Sequence, residues 1–180
     1  MTGSTYIPFH IAQKKGMNLI KTGENPVFGL FIVCGINLGL RVNVLSTLDF
    51  DQLKSESTVI KEPKTGKTRK VLINNNIRKA LEHFTDEYSY INGGKAFVSQ
   101  KGTVFSTRQL NRLMQKHFSG PRISTHSLRK TFGRRVWEVN GETDKALIYL
   151  SNIFEHSSTE VTRTYLGIKQ EEIDSIYDSL

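Results

Sequence analysis

The most continuous hydrophobic stretch of this 180-residue chain covers residues 27–40, where polar positions are nearly absent. Three glycines and Asn37 interrupt the stretch, and 14 residues are too few to cross a bilayer. The pattern therefore predicts a buried helix, and Arg41 follows it directly. The first dozen residues show no comparable pattern, and we expect them to form a frayed end.

A β-hairpin and a further helix are predicted next. Residues 58–60 and 69–73 are short runs rich in β-branched side chains, and Pro63 and Gly66 between them are typical of a turn. Apolar residues at helical spacing then predict a helix over residues 77–88.

Ser106 and Gln109 form a capping-box pattern, which predicts that a helix begins at this point. The residues that follow at helical spacing indicate a buried stripe on this helix, and they are Leu110, Leu113, Met114 and His117. The opposite face carries a row of cations spaced about 6 Å apart, which are Arg108, Arg112 and Lys116. Such a row can follow a phosphate backbone, or it can be an ordinary solvated helix face.

The last third of the chain is predicted to be helical. A helix capped by Ser124 or Thr125 is followed by a second helix that begins at Thr143. Ser157 starts a capping-box pattern ahead of a short third helix. The tail over residues 168–180 carries a final apolar stripe, which consists of Ile173, Ile176, Tyr177 and Leu180.

Composition indicates a folded protein, because hydrophobic residues make up 37% of the chain, and it excludes the disordered class. The single cysteine, Cys34, excludes an intramolecular disulfide, and no signal-peptide pattern is visible, so we expect a cytoplasmic protein. The predicted elements form one α+β domain over residues 1–180, which is mainly helical with a small antiparallel β-sheet.

The formal net charge of +8 favours a polyanionic partner such as nucleic acid. Residues 91–137 contain ten Lys or Arg and no Asp or Glu, whereas the rest of the chain carries 15 basic and 17 acidic residues. Ordinary surfaces intersperse the two signs, so the excess in this segment indicates a binding surface. A smaller basic cluster over residues 61–79 is equally compatible with a solvated surface.

Candidate chemistry lies partly in the same basic segment. His126 and Arg129 share one face at the start of a helix, where backbone N–H groups favour an anion. Arg41 ends a buried helix, where a guanidinium is costly unless it meets an anion or a carboxylate. His156 and Tyr165 lie nine residues apart across a capped turn. Taken singly, a histidine near a helix start is more often structural than catalytic.

Five short motifs occur in a fixed order, and they are Gly39-Leu40-Arg41, Lys64-Thr65-Gly66-Lys67, Thr125-His126-Ser127-Leu128-Arg129-Lys130-Thr131-Phe132, Glu155-His156-Ser157-Ser158 and Thr164-Tyr165-Leu166-Gly167. Each motif is weak by itself. In order, spacing and flanking apolar pattern, the chain from about residue 26 to residue 167 resembles the catalytic domain of the tyrosine recombinases, the phage integrase family.

The resemblance implies a DNA strand-cleaving and rejoining enzyme that forms a 3′-phosphotyrosyl intermediate and needs neither a metal nor another cofactor. The implied catalytic residues are Arg41, Lys64, His126, Arg129, His156 and Tyr165. Tyr165 is the implied nucleophile, and the two arginines bind the phosphate. Lys64 is the implied general acid, with Lys67 as an alternative. His126 is the implied acid–base helper, and His156 donates a hydrogen bond to the phosphate.

The implied partner is double-stranded DNA, bound by a homo-oligomer that is a tetramer on DNA and a monomer when free, with no role for a membrane. The candidate DNA-binding residues are Lys67, Arg69, Arg108, Arg112, Lys116, Arg122 and Lys130. A bacterial, phage or mobile-element origin is implied. Too few residues precede Arg41 for the family's N-terminal DNA-binding domain, so we expect it to be absent. The C-terminal stripe either docks on a neighbouring protomer or folds back on its own core.

The chain departs from the family pattern at two positions. Glu155 stands where glycine is usual, and Val44 stands where an acid, three residues after Arg41, often bonds the arginines. Asn43 and Asp49 are the candidates to replace that acid.

Two other functions remain open from the sequence. One is a type IB topoisomerase-like or resolvase enzyme, and the other is a DNA-binding regulator that has kept the fold and lost the activity. Weaker nucleophile candidates are Tyr88, Tyr90, Tyr149 and Tyr177.

Overall fold

The computed structural model describes residues 3–61, 66, 68–85 and 94–180. In chain order, these residues form α1 (Phe9–Lys21), α2 (Pro26–Leu38), α3 (Val42–Leu45), α4 (Phe50–Lys54), β1 (Ser57–Lys61), β2 (Thr68–Leu72), α5 (Asn75–Leu81), α6 (Thr107–His117), α7 (Thr125–Val139), α8 (Asp144–Phe154), α9 (Thr159–Leu166) and α10 (Ile168–Asp178). The α+β class with a small antiparallel sheet is confirmed. Within the described ranges, every helix is too short or too polar to cross a membrane.

The predicted buried helix is α2, which lies at the centre of the fold. It is apolar on all sides because α1 packs on one side of it and α5 and α7 on others. Asn25 caps the helix by accepting a hydrogen bond from the Phe28 backbone N–H. Gly39 ends it with a φ of 60°, a left-handed conformation that turns the chain toward Arg41.

The predicted hairpin is confirmed as the antiparallel pair β1 and β2, in which Ser57 faces Leu72 and Lys61 faces Thr68. Residues 62–65 and 67 of its turn, including Lys64 and Lys67, lie outside the described residues. The helix predicted over residues 77–88 is too long, because α5 begins at Asn75 behind an Asn74 cap and ends at Leu81.

Of the four helix starts predicted from the sequence, three are confirmed and one is misplaced by a residue. Ser124 caps α7 and Thr143 caps α8, as predicted. Ser106 and Gln109 form the predicted capping box in both directions. The cap of α9 is Ser158 rather than Ser157, since Ser158 accepts from the Val161 N–H. The side chain of Glu160 does not close a capping box but bonds Lys169 on α10 instead.

The hydrophobic core has two parts. The larger surrounds α2, and Cys34 lies in it fully buried, as predicted. The smaller joins α7, α8 and α9, and its buried members are Trp137, Ala146, Leu147, Leu150, Phe154, Leu166 and Ile168. Gly133 on α7 allows α9 to come close, because a Cβ there would lie 2.6 Å from Leu166 Cδ2. The candidate site lies on this smaller core.

The two ends of the chain differ from expectation. The expected frayed N-terminus is wrong from residue 7 onward, since Ile7 is buried and its N–H and C=O both bond the Thr131 hydroxyl. At the other end, the predicted stripe does not fold back on its own core, because Ile176 and Tyr177 are 61% and 74% exposed. The helix is held at its start by the buried Ile168 and along its length by polar contacts, such as an ion pair of 2.6 Å between Arg134 and Glu171.

Candidate active site

Arg41 lies where the chain leaves α2. Leu40 is buried beside it, so the arginine side chain emerges at the edge of the core. Its Nη1 donates to Glu155 Oε2 at 3.1 Å, and its Nη2 donates to the Phe154 carbonyl oxygen at 3.1 Å. The expectation that this guanidinium needs a carboxylate is therefore confirmed.

Arg129 lies on α7 and is 5% exposed. Its Nη1 donates to the Gly39 carbonyl oxygen, and its Nη2 donates to the Phe154 carbonyl oxygen at 3.1 Å. The guanidinium carbon lies 4.3 Å from the centre of the Phe154 ring. Backbone oxygens and an aromatic face thus compensate for the cost of burying this charge.

Phe154 joins the two arginines, and sequence reasoning did not find it. Its carbonyl oxygen accepts a hydrogen bond from each of them, and its ring lies 5.4 Å from the His156 ring and 5.5 Å from the Tyr165 ring between centres. A phenylalanine at the end of an apolar helix pattern predicts only core packing. Its role comes from the backbone carbonyl, which carries no sequence signal.

His156 follows the turn at the end of α8. Its Nδ1 lies 3.0 Å from the Thr162 hydroxyl, and its backbone N–H donates to the Ser151 carbonyl oxygen at 2.9 Å. Burial lowers the pKa of His156, and the positive charges of Arg129 and Arg41 lower it further. The ring is thus fixed by α9 and favours its neutral form. The sequence carried no signal for Thr162.

Tyr165 lies on α9 with its ring centre 5.1 Å from that of His156. Burial raises the pKa of Tyr165, while the charges of Arg129 and Arg41 act in the opposite direction. The hydroxyl is buried, and a side-chain hydrogen bond with Arg129 also lowers its pKa. The phenol is therefore protonated at neutral pH and lies beside the two arginines.

His126 and Lys130 lie on the first turns of α7. His126 is an exposed residue, yet partial burial and the nearby Arg129 and Lys130 lower its pKa. Lys130 is half-buried, and its Nζ lies 5.0 Å from the centre of the Tyr165 ring. Burial, together with the charge of Arg122, lowers the pKa of Lys130. This lysine, predicted as a DNA contact, thus lies against the candidate nucleophile.

The carboxylate on Arg41 comes from an unexpected position. Val44 is buried, Asn43 is exposed, and Asp49 caps α4 by accepting from the Gln52 N–H at 2.8 Å. Glu155 reaches Arg41 from the end of α8. The departure from glycine at position 155 was visible in the sequence, but its contact was not.

The other predicted residues are spread more widely. Arg108, Arg112 and Lys116 are exposed along α6, opposite the buried Leu110 and Met114. Arg122 is exposed ahead of α7, whereas Arg69 is partly buried on β2. The residues that lie outside the described ranges are Lys64, Lys67, Tyr88 and Tyr90.

The structure thus brings together four of the predicted catalytic residues around Phe154, and they are Arg41, Arg129, His156 and Tyr165. The alternative tyrosines Tyr149 and Tyr177 are 54% and 74% exposed. In the described part of the chain, no group of three or more His, Cys, Asp or Glu side chains is arranged to hold a metal ion.

Comparison with known proteins shows which family this chain resembles in sequence. Residues 30–172 match the model of the phage integrase family. The chain is 29% identical over 157 residues to the probable integrase/recombinase YoeC of Bacillus subtilis, a match that covers 82% of this chain and 81% of YoeC. It is 26% identical over 162 residues to the tyrosine recombinase XerC of Pseudomonas fluorescens, and this match covers 87% of this chain and 52% of XerC.

A solved structure has the same fold. The site-specific recombinase XerH, in a post-cleavage complex with a palindromic difH substrate, superposes with a TM-score of 0.66 at 19% sequence identity. The match covers 97% of this chain and 53% of that one. The chain therefore spans about half the length of XerC and of XerH.

Proposed function

Because this chain belongs to the phage integrase family, we propose that it is the catalytic domain of a site-specific DNA recombinase that cleaves and rejoins strands through Tyr165. The single observation that carries the proposal is the meeting of the Tyr165 phenol with Arg41 and Arg129 around Phe154. The family match spans all six candidate catalytic residues.

The two arginines supply the electrostatic part of the reaction. A phosphodiester repels a nucleophile with its own negative charge, and guanidiniums on its non-bridging oxygens neutralise that charge and stabilise the transition state. Arg41 and Arg129 both donate to the Phe154 carbonyl oxygen through Nη2, at 3.1 Å each. Two cations that share one acceptor are close enough to bind one phosphate.

Cleavage moves one phosphoryl group and two protons. The Tyr165 hydroxyl oxygen attacks phosphorus, the bond from phosphorus to the 5′ oxygen breaks, and the 3′ end remains esterified to the tyrosine. Because burial raises the pKa of Tyr165, the phenol must lose its proton as it attacks, and His126 takes it. Lys64 donates a proton to the leaving 5′ oxygen, and His156 donates a hydrogen bond to the phosphate.

Rejoining reverses these steps with a second strand. The ester bond to Tyr165 keeps the free energy of the broken phosphodiester, so a 5′ hydroxyl can attack it without ATP. The exchange is then complete when the tyrosine recovers its proton.

The partner that we propose is double-stranded DNA, bound by a tetramer of this chain in the cytoplasm of a bacterium that carries the gene or its mobile element. The exposed row on α6 supports DNA binding, since Arg108, Arg112 and Lys116 are cations at phosphate-like spacing. XerH, with the same fold, is solved with a difH substrate after cleavage.

A nicked suicide substrate tests the proposal. We suggest a pool of nicked duplexes with randomised sequence on both sides of the nick, and denaturing electrophoresis to detect a covalent protein–DNA adduct. Wild type should form the adduct, Tyr165→Phe should not, and the exposed Tyr149→Phe should match wild type. An adduct that persists in Tyr165→Phe refutes the nucleophile, and DNA binding without any adduct favours the inactive regulator.

The general acid is tested with an activated 5′ leaving group, which no longer needs a proton. Lys64→Ala and Lys67→Ala are compared on the ordinary and the activated duplex. We expect both variants to bind DNA and only Lys64→Ala to lose cleavage and to recover it on the activated duplex. Recovery by Lys67→Ala instead transfers the role to Lys67.

A further inference from the structure

Glu155 occupies a backbone conformation that favours glycine. It ends α8 with a φ of 55° and a ψ of 42°, in the left-handed region where a Cβ is disfavoured. Among the described residues, the other non-glycine positions with positive φ are Arg122 and Glu142. Glycine at position 155 would avoid the cost, so any benefit of glutamate must come from its side chain.

That side chain is directed at the catalytic arginine. Glu155 Oε2 accepts from Arg41 Nη1 at 3.1 Å, and the two side chains are 18% and 30% exposed. Partial burial weakens the screening of such a pair by solvent and salt. The contact is therefore more persistent than an ion pair on an open surface.

The same turn also sets where Arg41 lies relative to Arg129. Phe154, the neighbour of Glu155, offers its carbonyl oxygen to Nη2 of both arginines. Arg41 is thus held at two points, by a carboxylate on Nη1 and by a carbonyl on Nη2. Two contacts fix the orientation of a planar guanidinium, whereas one contact leaves it free to rotate.

We propose that Glu155 is a positioning residue that orients Arg41 so that both arginines address one phosphate. The inference rests on the proposed function, since it concerns the same phosphate site. Glu155 acts through Arg41 and does not touch DNA. Its negative charge opposes DNA binding, while the orientation that it imposes accelerates cleavage. Binding and cleavage should therefore respond differently when the carboxylate is removed.

Glu155→Gln and Glu155→Gly test this on the nicked duplexes, with single-turnover adduct formation at saturating DNA and the Kd of the same duplex. We expect adduct formation to slow about 10-fold in Glu155→Gln, whose amide oxygen still accepts a hydrogen bond, and about 100-fold in Glu155→Gly. The Kd should stay equal or become tighter in both. Glycine relieves the backbone cost, so Glu155→Gly should remain folded, which thermal unfolding checks.

Glu142 provides a matched control, because it is exposed and has a φ of 59°. Glu142→Gln and Glu142→Gly remove one negative charge, as the Glu155 variants do, and Glu142→Gly also removes the cost of a Cβ at positive φ. Both Glu142 variants should cleave at the wild-type rate. In an Arg41→Ala background, Glu155→Gln should change the cleavage rate no further, since a positioning residue has nothing left to position.

Three results would overturn the inference. The first is cleavage at the wild-type rate by Glu155→Gly, and the second is an effect of Glu155→Gln on cleavage that persists in the Arg41→Ala background. The third is faster cleavage together with tighter DNA binding in the Glu155 variants, which would make the carboxylate a competitor of the phosphate. A wild-type protein that forms no adduct refutes the proposed function and this role together, whereas a defect confined to the Glu155 variants supports both.

Discussion

The Gly39 carbonyl oxygen accepts a hydrogen bond from Arg129 in the candidate site. Gly39→Ala should therefore both destabilise the fold and slow cleavage. Its φ of 60° places it in the left-handed region, where a Cβ costs about 1–2 kcal/mol. The new Cβ would also overlap the Phe132 ring, with Cγ and Cε1 both at 2.7 Å. Overpacking of this kind costs about 1–3 kcal/mol. The expected loss in the free energy of unfolding is therefore about 2–5 kcal/mol.

Gly23 separates the two contributions. It has a φ of 71°, and an added Cβ would meet no described atom within 4 Å. Gly23→Ala should therefore carry the backbone cost alone and lower Tm by about 5 °C, while Gly39→Ala should lower it by about 10 °C. Thermal unfolding measures both variants. Equal losses of Tm in the two variants would refute the overlap with Phe132.

The functional consequence follows from a hydrogen bond. Arg129 donates through Nη1 to the Gly39 carbonyl oxygen, so a backbone shift at Gly39 moves one of the two phosphate ligands. Single-turnover cleavage by the folded fraction of Gly39→Ala should be slower than that of wild type by about 10-fold or more. Gly23→Ala should cleave at the wild-type rate. A slow Gly23→Ala would show that stability, rather than the position of Arg129, limits the reaction.

Three other predictions concern pH, salt and the nucleophile. The folded-state pKa of His156 lies below its ordinary 6.5. Between these two pKa values, the unfolded chain therefore binds more protons than the folded chain. The free energy of unfolding should then fall as pH drops below 6.5, and fall less in His156→Gln, as denaturant titrations at several pH values would measure. Replacing the row of cations on α6 by glutamine should weaken the salt dependence of DNA binding. The slope of log K against log salt concentration should become shallower by about 0.9 for each phosphate that the row neutralises in the wild type. An unchanged slope would place the row outside the interface. Lys130→Met removes a cation 5.0 Å from the centre of the Tyr165 ring. The increase of the cleavage rate with pH should then occur at higher pH than in the wild type. If the dependence of the rate on pH does not shift, Lys130 is a DNA contact only.

Local patterns predicted the elements that depend on neighbouring residues. The Ser106 capping box and the apolar helix ahead of Gly39 are short-range features, and both are confirmed. The cap of α9 was misplaced because Ser157 and Ser158 are adjacent and equally able to cap. The choice depends on tertiary contacts, such as the bond between Glu160 and Lys169.

The motifs identified the residues of the candidate site, but they did not predict the contacts between those residues. Arg41 and Tyr165 could be named from their surroundings in the chain. The ion pair of Arg41 with Glu155, and the place of Lys130 against Tyr165, depend on how α7, α8 and α9 pack. The sequence indicated only that position 155 departs from glycine, and it suggested Asn43 and Asp49 as the residues that replace the missing acid.

The convergence on Phe154 has a physical reason. Phe154 is the last residue of α8, and the final carbonyl groups of a helix lack partners within the helix. They also carry the negative end of the helix dipole, which attracts cations. Arg41 at the end of α2 and Arg129 on α7 donate to this carbonyl. A helix terminus thus gathers two distant arginines without any dedicated side chain, and Glu155, one residue later, adds a carboxylate that bonds Arg41.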